Sequence, residues 1–203
     1  MRITEIIEGR YDPYTSKAIF FAGGAGSGKT FIARQLASTF QGLKQVNPDI
    51  ALKHLLLKTN LDLKMPPEEE YFRNMLRQRS KQISGRSQQI YQREKLGMLI
   101  DTTGRSYLTV DNTKRELEEQ GYETAMVFVS SDLKTALKRN QSRQRTVPEK
   151  VILANWEAIN QNVGRYQRLF GDNFFIIDNS EKEQSNIDQS ILDLEKKIRR
   201  FLK

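Results

Sequence analysis

Five short apolar runs alternate along the chain with longer segments in which apolar residues recur every three or four positions. The short runs have the length of strands, and the longer segments have the periodicity of amphipathic helices. Strands are predicted at 17–22, at a run ending with 45–46, and at 97–100, 124–130 and 174–177. Because strands alternate with helices, the pattern predicts an α/β fold: a five-stranded parallel sheet covered on both faces, in a three-layer sandwich.

Helices are predicted between these strands and at the C-terminal end, and no linker or repeat divides the single domain 1–203. The internal helices fall at 30–40, 50–60, 68–95, 106–120, 131–145 and from 149 to about 168. The longest carries an apolar stripe beside a row of basic residues, and Phe72 of the stripe is assigned to the core, with stacking on a base as the alternative. The stripe is Phe72, Leu76, Ile83 and Ile90, and the row is Arg73, Arg77 and Lys81.

A glycine-rich loop follows the first strand directly. Residues 23–30, GGAGSGKT, match the phosphate-binding pattern G-x-x-x-x-G-K-[ST] between a strand and a helix, which is the context that pattern requires. Successive backbone N–H groups of such a loop converge on phosphate oxygens, and the following helix directs its positive end at the same anion. The sequence therefore predicts a nucleoside triphosphate site formed by Gly24, Ala25, Gly26, Ser27, Gly28, Lys29 and Thr30, in which Lys29 contacts the β- and γ-phosphates and Thr30 binds Mg²⁺.

Composition narrows the chemistry that this loop can serve. The chain has no cysteine and one histidine, which excludes disulfides, thiol catalysis and clustered histidine metal sites. Its formal net charge is +8, concentrated in two segments, 71–95 and 132–150. Local basic charge of this kind indicates an anionic partner, several phosphates or a nucleic acid, or else two solvated helix faces. The absence of a long apolar run or a signal-peptide pattern predicts a cytoplasmic protein that is not bound to a membrane.

Two aspartates come directly after predicted strands. Asp49 follows the second strand and Asp101 ends the third, so both are expected at the carboxyl edge of the sheet, beside the phosphate loop. Asp49 is a candidate to accept the proton of an incoming hydroxyl, or an ordinary helix-start residue after Pro48. Asp101 is a candidate to support Mg²⁺ or to orient the acceptor, with a turn aspartate as the alternative.

Three arginines follow the fourth strand, within the segment 138–147. Arg139, Arg143 and Arg145 fall within seven residues of one another, and burying them unpaired would be costly. A lid that carries them over a bound triphosphate would neutralise charge on the transferring phosphoryl group. We predict Arg139 and Arg143 as catalytic residues and Arg145 as a nucleotide contact, against the alternative of a solvated basic helix.

The same segments resemble the zeta-toxin-like and polynucleotide-kinase-like group of P-loop kinases, over about residues 17–150. The resemblance lies in KAIFFAGGAGSGKT, QVNPDIALK, LIDTTGR, ELEEQGYETAMVFV and LKRNQSRQRTVP, which occur in the order of that group. It implies the P-loop NTPase fold of a kinase with an arginine lid, and it implies that Asp49 is the general base. In polynucleotide kinases of the group an arginine often follows the base by three residues. Here that position is Leu52, and Lys53 is next.

The acceptor is expected to bind a basic helical insertion at about 64–95. Candidate contacts are Asp49, Lys53, Arg73, Arg77, Thr103 and Arg105. The sequence lacks the N-K-x-D element of GTPases, and a single acid at the third strand is unlike the acidic pair of motor ATPases. We therefore predict an ATP- and Mg²⁺-dependent kinase of a hydroxyl acceptor, first of all a nucleic-acid 5′-end or nucleotide-type substrate. A nucleotide-sugar kinase and a nucleic-acid-binding ATPase that phosphorylates no acceptor stay open as alternatives.

Overall fold

The computed structural model describes residues 12–59, 69–142, 149–180 and 184–203. Its strands are β1 (Lys17–Ala22), β2 (Lys44–Val46), β3 (Met98–Asp101), β4 (Glu123–Ser130) and β5 (Phe174–Asp178). Its helices are α1 (Lys29–Thr39), α2 (Pro48–Thr59), α3 (Glu70–Arg93), α4 (Tyr107–Glu119), α5 (Leu133–Gln141), α6 (Glu149–Phe170) and α7 (Gln184–Phe201). The five strands and the alternation of strands with helices confirm the predicted α/β class.

The strands form one parallel sheet in the order β2-β3-β1-β4-β5. Strand β1 is central: Phe20 pairs with Ile100 of β3 on one side and with Met126 of β4 on the other. The glycine loop at the end of β1 therefore lies between the carboxyl ends of β3 and β4. In a sheet of this kind the crevice outside those ends is where ligands bind.

Each face of the sheet has its own hydrophobic core. Side chains of α1 and α7, such as Leu36 and Leu194, pack on one face. Side chains of α4 and α6, such as Val110 and Tyr166, pack on the other. These two helix layers and the sheet between them confirm the three-layer sandwich. No helix in the described ranges is both long enough and apolar enough to cross a membrane.

The face that α3 buries differs from its apolar stripe. Phe72, Ile83 and Ile90 of that stripe are 55%, 37% and 51% exposed, whereas Ser80 and Ser84 are buried. The assignment of Phe72 to the core was therefore wrong. The helix packs against α2, and Ser80 and Ser84 lie on its buried face. Apolar periodicity alone does not show which face of a helix packs against its neighbours.

Candidate functional site

The phosphate loop needs glycine at two positions. Gly26 and Gly28 have φ of 84° and 81°, a left-handed conformation that side chains with a Cβ rarely adopt. A Cβ on Gly26 would lie 2.3 Å from the carbonyl oxygen of Ala136, and one on Gly28 would lie 2.0 Å from Nδ2 of Asn179. The loop is therefore shaped by its backbone and by close neighbours from α5 and from the chain after β5.

Lys29 ties this loop to the end of β3. Its Nζ lies 2.8 Å from Oδ1 of Asp101 and donates a second hydrogen bond of 2.8 Å to the carbonyl oxygen of Thr102. Both side chains of the ion pair are mostly buried, 15% and 19% exposed. The ammonium group is thereby held at the mouth of the loop, where a triphosphate would bring its negative charge.

Asp101 and Asp49 lie close enough for their charges to interact. Burial raises the pKa of Asp101 above its ordinary value of 3.8, the Lys29 ammonium opposes that rise, and the charge of Asp49 adds to it. Strands β2 and β3 are neighbours in the sheet, so the residues at their carboxyl ends meet. The predicted convergence of the two aspartates beside the phosphate loop is thus present in the structure.

This shift of Asp101 predicts a pH dependence of stability. Because the folded protein holds the Asp101 proton more tightly than the unfolded chain, its unfolding free energy decreases as the pH rises from 3.8 through the raised pKa, and then levels off. We expect the unfolding free energy of the wild type, minus that of Asp101→Asn, to decrease over the same interval. Urea unfolding at pH values on both sides of 3.8 measures this difference. A difference that increases with pH would mean that Lys29 outweighs burial, and would contradict the assignment.

An open cleft of about 760 Å³ lies in front of the phosphate loop. It brings together much of the predicted site, since Asp49, Thr103 and Arg105 face the loop across it. Helix α6 supplies two further lining residues that the sequence analysis did not single out, Asn155 and Ile159. Its described lining is Gly23, Gly24, Ala25, Lys29, Thr30, Asp49, Thr103, Arg105, Asn155 and Ile159.

The loop after β3 that presents Thr103 and Arg105 is held by α6. Tyr166, fully buried, donates from its hydroxyl to the carbonyl oxygen of Gly104 at 2.9 Å. Asn162 Nδ2 donates to the carbonyl oxygen of Arg105 at 2.9 Å. Sequence reasoning missed both residues, because their partners lie about sixty positions away and no local motif marks them. Their contacts fix the backbone that aims two polar side chains into the cleft.

Asn179 connects the phosphate loop to the arginine segment. Its Nδ2 donates to the carbonyl oxygen of Ser27 at 2.8 Å, and its own carbonyl oxygen accepts from Nη1 of Arg139 at 2.8 Å. Arg139 therefore lies beside Gly28, and it is not among the described residues that line the cleft. The sequence analysis missed Asn179, although its position directly after β5 is equivalent to the positions that drew attention to Asp49 and Asp101.

Other predicted residues lie away from the cleft or outside the described ranges. Lys53 is exposed on α2, Arg73 is buried on α3, and Arg77 is partly buried beside Asn74. None of these three is among the described residues that line the cleft. Arg143 and Arg145, and with them most of the segment predicted as a lid, fall in 143–148, outside the described residues. Their predicted roles stay predictions.

The described residues of the cleft fit a magnesium ion that binds together with a nucleotide. The described residues contain no group of three or more acidic or histidine side chains that could cage a metal. Mg²⁺ does not need such a cage, since it is typically held by one or two protein oxygens, phosphate oxygens and waters. Thr30 lines the cleft, and its hydroxyl makes no hydrogen bond to another described residue, so it is available as one such ligand. Asp101 stays a predicted second contact, directly or through water.

The sequence profile of the AAA domain family, AAA_33, matches residues 19–166. No curated protein sequence matches the chain significantly. Among solved structures, a chain of the AvrRxo1-ORF1:AvrRxo1-ORF2 complex aligns with a TM-score of 0.65 and 14% identity, over 86% of this chain and 62% of that one. A chain of the Pnkp1/Rnl/Hen1 RNA repair complex aligns with a TM-score of 0.58 and 18% identity, over 75% of this chain and 47% of that one.

A third similar structure is from the PezAT chromosomal toxin-antitoxin system of Streptococcus pneumoniae, with a TM-score of 0.56 and 18% identity, over 93% of this chain and 87% of that one. This chain thus spans less than two thirds of the length of the first two structures, 62% and 47%. At these identities the likeness shows the fold. Solved structures with this fold include a shikimate kinase and a putative kinase, so the predicted resemblance to P-loop kinases is confirmed for the fold.

Proposed function

The chain belongs to the AAA domain family of P-loop proteins, and on that premise we propose that it transfers the γ-phosphoryl group of ATP to a hydroxyl acceptor. The observation that carries the proposal is the position of Asp49. It lies across one cleft from Lys29 and Thr30, where a hydroxyl between the aspartate and the loop would face the terminal phosphate. Catalysis of this reaction requires little beyond alignment and charge stabilisation.

The phosphate loop and three polar residues of the cleft have separate roles in this proposal. The loop amides and Lys29 bind the triphosphate, and the Thr30 hydroxyl would bind Mg²⁺, which neutralises phosphate charge when present. Asp49 accepts the proton of the acceptor hydroxyl and orients its oxygen. Thr103 and Arg105, held by the α6 contacts to their loop, bind the acceptor on the opposite side of the cleft.

Two features favour a kinase over a motor ATPase, although motors carry the same phosphate loop. The only acid at the end of β3 is Asp101, and it is engaged by Lys29. A second carboxylate lies at the end of the neighbouring strand, on the side of the cleft where an acceptor would enter. A nucleic-acid 5′-end or a nucleotide-type molecule is the first candidate acceptor, because the segment 71–95 has a net charge of +6.

A nucleotide sugar is the second candidate acceptor, because the resemblance to zeta-toxin-like kinases implies it. A nucleic-acid-stimulated ATPase is the alternative without an acceptor. The test is transfer of label from γ-labelled ATP, with Mg²⁺, to a panel of 5′-hydroxyl RNA and DNA, nucleosides, nucleoside monophosphates and UDP-sugars. Label in an acceptor supports the kinase and names its substrate class. Label released only as free phosphate, at a rate that nucleic acid increases, supports the ATPase.

A further inference from the structure

A second cavity lies between α3 and α4, against strands β1, β2 and β3. Its volume is about 220 Å³, and it is partly open to solvent. Its floor is apolar, formed by side chains such as Phe20 and Ile100. We call it the α3–α4 cavity.

Polar groups line the rest of the α3–α4 cavity. They are the Lys81 ammonium, the hydroxyls of Ser84, Thr109 and Thr113, and the amide of Gln88. The Thr113 hydroxyl donates to the carbonyl oxygen of Thr109 at 2.9 Å and keeps its lone pairs as acceptors. Apart from Asp101 at one end, the described lining contains no acid. The lining therefore offers several neutral hydrogen-bonding groups, the cation of Lys81 and, at one end, the carboxyl group of Asp101.

Ser84 gives independent evidence that the α3–α4 cavity holds a polar molecule. It is 6% exposed, and its hydroxyl has no hydrogen-bond partner in the part of the chain that the structure describes. Buried hydroxyls are almost always hydrogen-bonded, because leaving one without a partner is costly. A ligand or a water in the adjoining cavity would supply that partner.

The cavity adjoins the phosphate cleft at the two aspartates. Pro48 and Asp101 line the cavity, whereas Asp49, which follows Pro48, and Thr103, two residues after Asp101, line the cleft. A molecule seated in the cavity would thus extend past Asp101 and present its far end beside Asp49. That is the place where the reacting hydroxyl belongs in the proposed transfer reaction.

We propose that the α3–α4 cavity binds the body of the acceptor, and that the acceptor is a polyol ring of sugar or nucleoside size; this inference rests on the proposed kinase function. The apolar floor suits a ring face, and the hydroxyl and amide groups suit ring hydroxyls that both donate and accept. Lys81 suits a phosphate or carboxylate substituent. The ring can belong to a free nucleoside, to a nucleotide sugar or to the terminal nucleoside of an oligonucleotide.

Gly85 offers a way to fill the cavity without disturbing the fold. It lines the cavity within α3, and a Cβ built on it meets no atom within 4 Å. Replacing a helical glycine favours the helix, so Gly85→Phe is expected to fold. Gly164→Phe is the matched control, because Gly164 lies on an exposed face of α6, with only the Arg168 guanidinium near its Cβ position, at 3.9 Å.

The experiment measures binding by calorimetry, in the presence of Mg²⁺ and a non-hydrolysable ATP analogue. The probes are a ribonucleoside, a UDP-sugar, a hexose and a 5′-hydroxyl oligonucleotide. For at least one probe we expect Gly85→Phe to weaken binding by about ten-fold or more, while Gly164→Phe and the affinity for the ATP analogue stay unchanged. Ser84→Ala is expected to weaken the same probe less strongly.

The outcomes separate this proposal from the kinase proposal. Weakening for the oligonucleotide alone identifies its terminal nucleoside as the source of the ring and supports the proposal. The cavity proposal is overturned if no probe binds the wild type, or if Gly85→Phe leaves the affinity of every bound probe unchanged. If a probe loses binding in Gly85→Phe and no member of the acceptor panel takes up label, the cavity is a ligand site and the kinase proposal is contradicted. If an acceptor takes up label but its binding is unchanged in Gly85→Phe, the kinase proposal is supported and the cavity assignment is contradicted.

Discussion

Replacing Asp49 by asparagine is expected to reduce phosphoryl transfer to the acceptor by about 10²–10⁴-fold in kcat, the usual contribution of a positioned general base. The amide keeps the size of the side chain and loses the basic oxygen. Because the phosphate loop and Lys29 are untouched, the affinity for ATP is expected to stay within about two-fold of the wild type. Single-turnover transfer of labelled phosphate and calorimetric titration with an ATP analogue measure the two quantities.

The matched control for this variant is Asp172→Asn. Asp172 is an exposed carboxylate in the turn between α6 and β5, and it is not among the described residues of either cavity. It should leave transfer unchanged. If Asp49→Asn retains wild-type transfer, Asp49 is not the base, and if it loses ATP affinity together with transfer, Asp49 instead supports the metal or the loop.

Replacing Lys29 by methionine is expected to affect both activity and stability. Loss of a positioned cation at the triphosphate should reduce kcat by about 10²–10³-fold. The same change removes the 2.8 Å partner of Asp101 and leaves a mostly buried carboxylate without its cation. The folded protein should therefore become less stable at neutral pH, since an uncompensated buried charge is costly.

A double variant separates these two effects. In Lys29→Met/Asp101→Asn the carboxylate is gone, so we expect urea unfolding to show much of the lost stability restored. Transfer activity should stay at the level of Lys29→Met or below it, because the cation for the phosphates is still missing. Recovery of activity in the double variant would mean that Lys29 serves only to compensate Asp101, and would contradict its role in phosphate binding.

The strands and the phosphate loop were predictable because their signals are local. A short apolar run that ends in glycines needs only its own residues to indicate a strand and a turn. The placement of Asp49 and Asp101 followed from one further rule, that the carboxyl ends of parallel strands share an edge. Applied to the fifth strand, the same rule would have indicated Asn179 as well.

The orientation of α3 was not predictable from its periodicity. Its apolar stripe and its serine row both recur at helical spacing, and the choice between them depends on α2, which is separate in the sequence. The contacts of Asn162, Tyr166 and Asn179 depend on partners 57 to 152 positions away. Hydrogen bonds over such separations leave no pattern in a single sequence.

The order of the strands has a consequence for how the protein is made. Strand β1 pairs with β3 and β4: Ala18 pairs with Met98, and Lys17 pairs with Glu123. These pairs cannot form before the later residue of each has been synthesised. The hydrogen bond from Asn179 to the carbonyl oxygen of Ser27 in the phosphate loop forms later still. A nascent chain therefore carries the phosphate-binding sequence from early in synthesis, yet it cannot form the site until most of the domain has emerged from the ribosome. A bound nucleotide would therefore stabilise the finished domain but not the early folding intermediates, which lack the binding site.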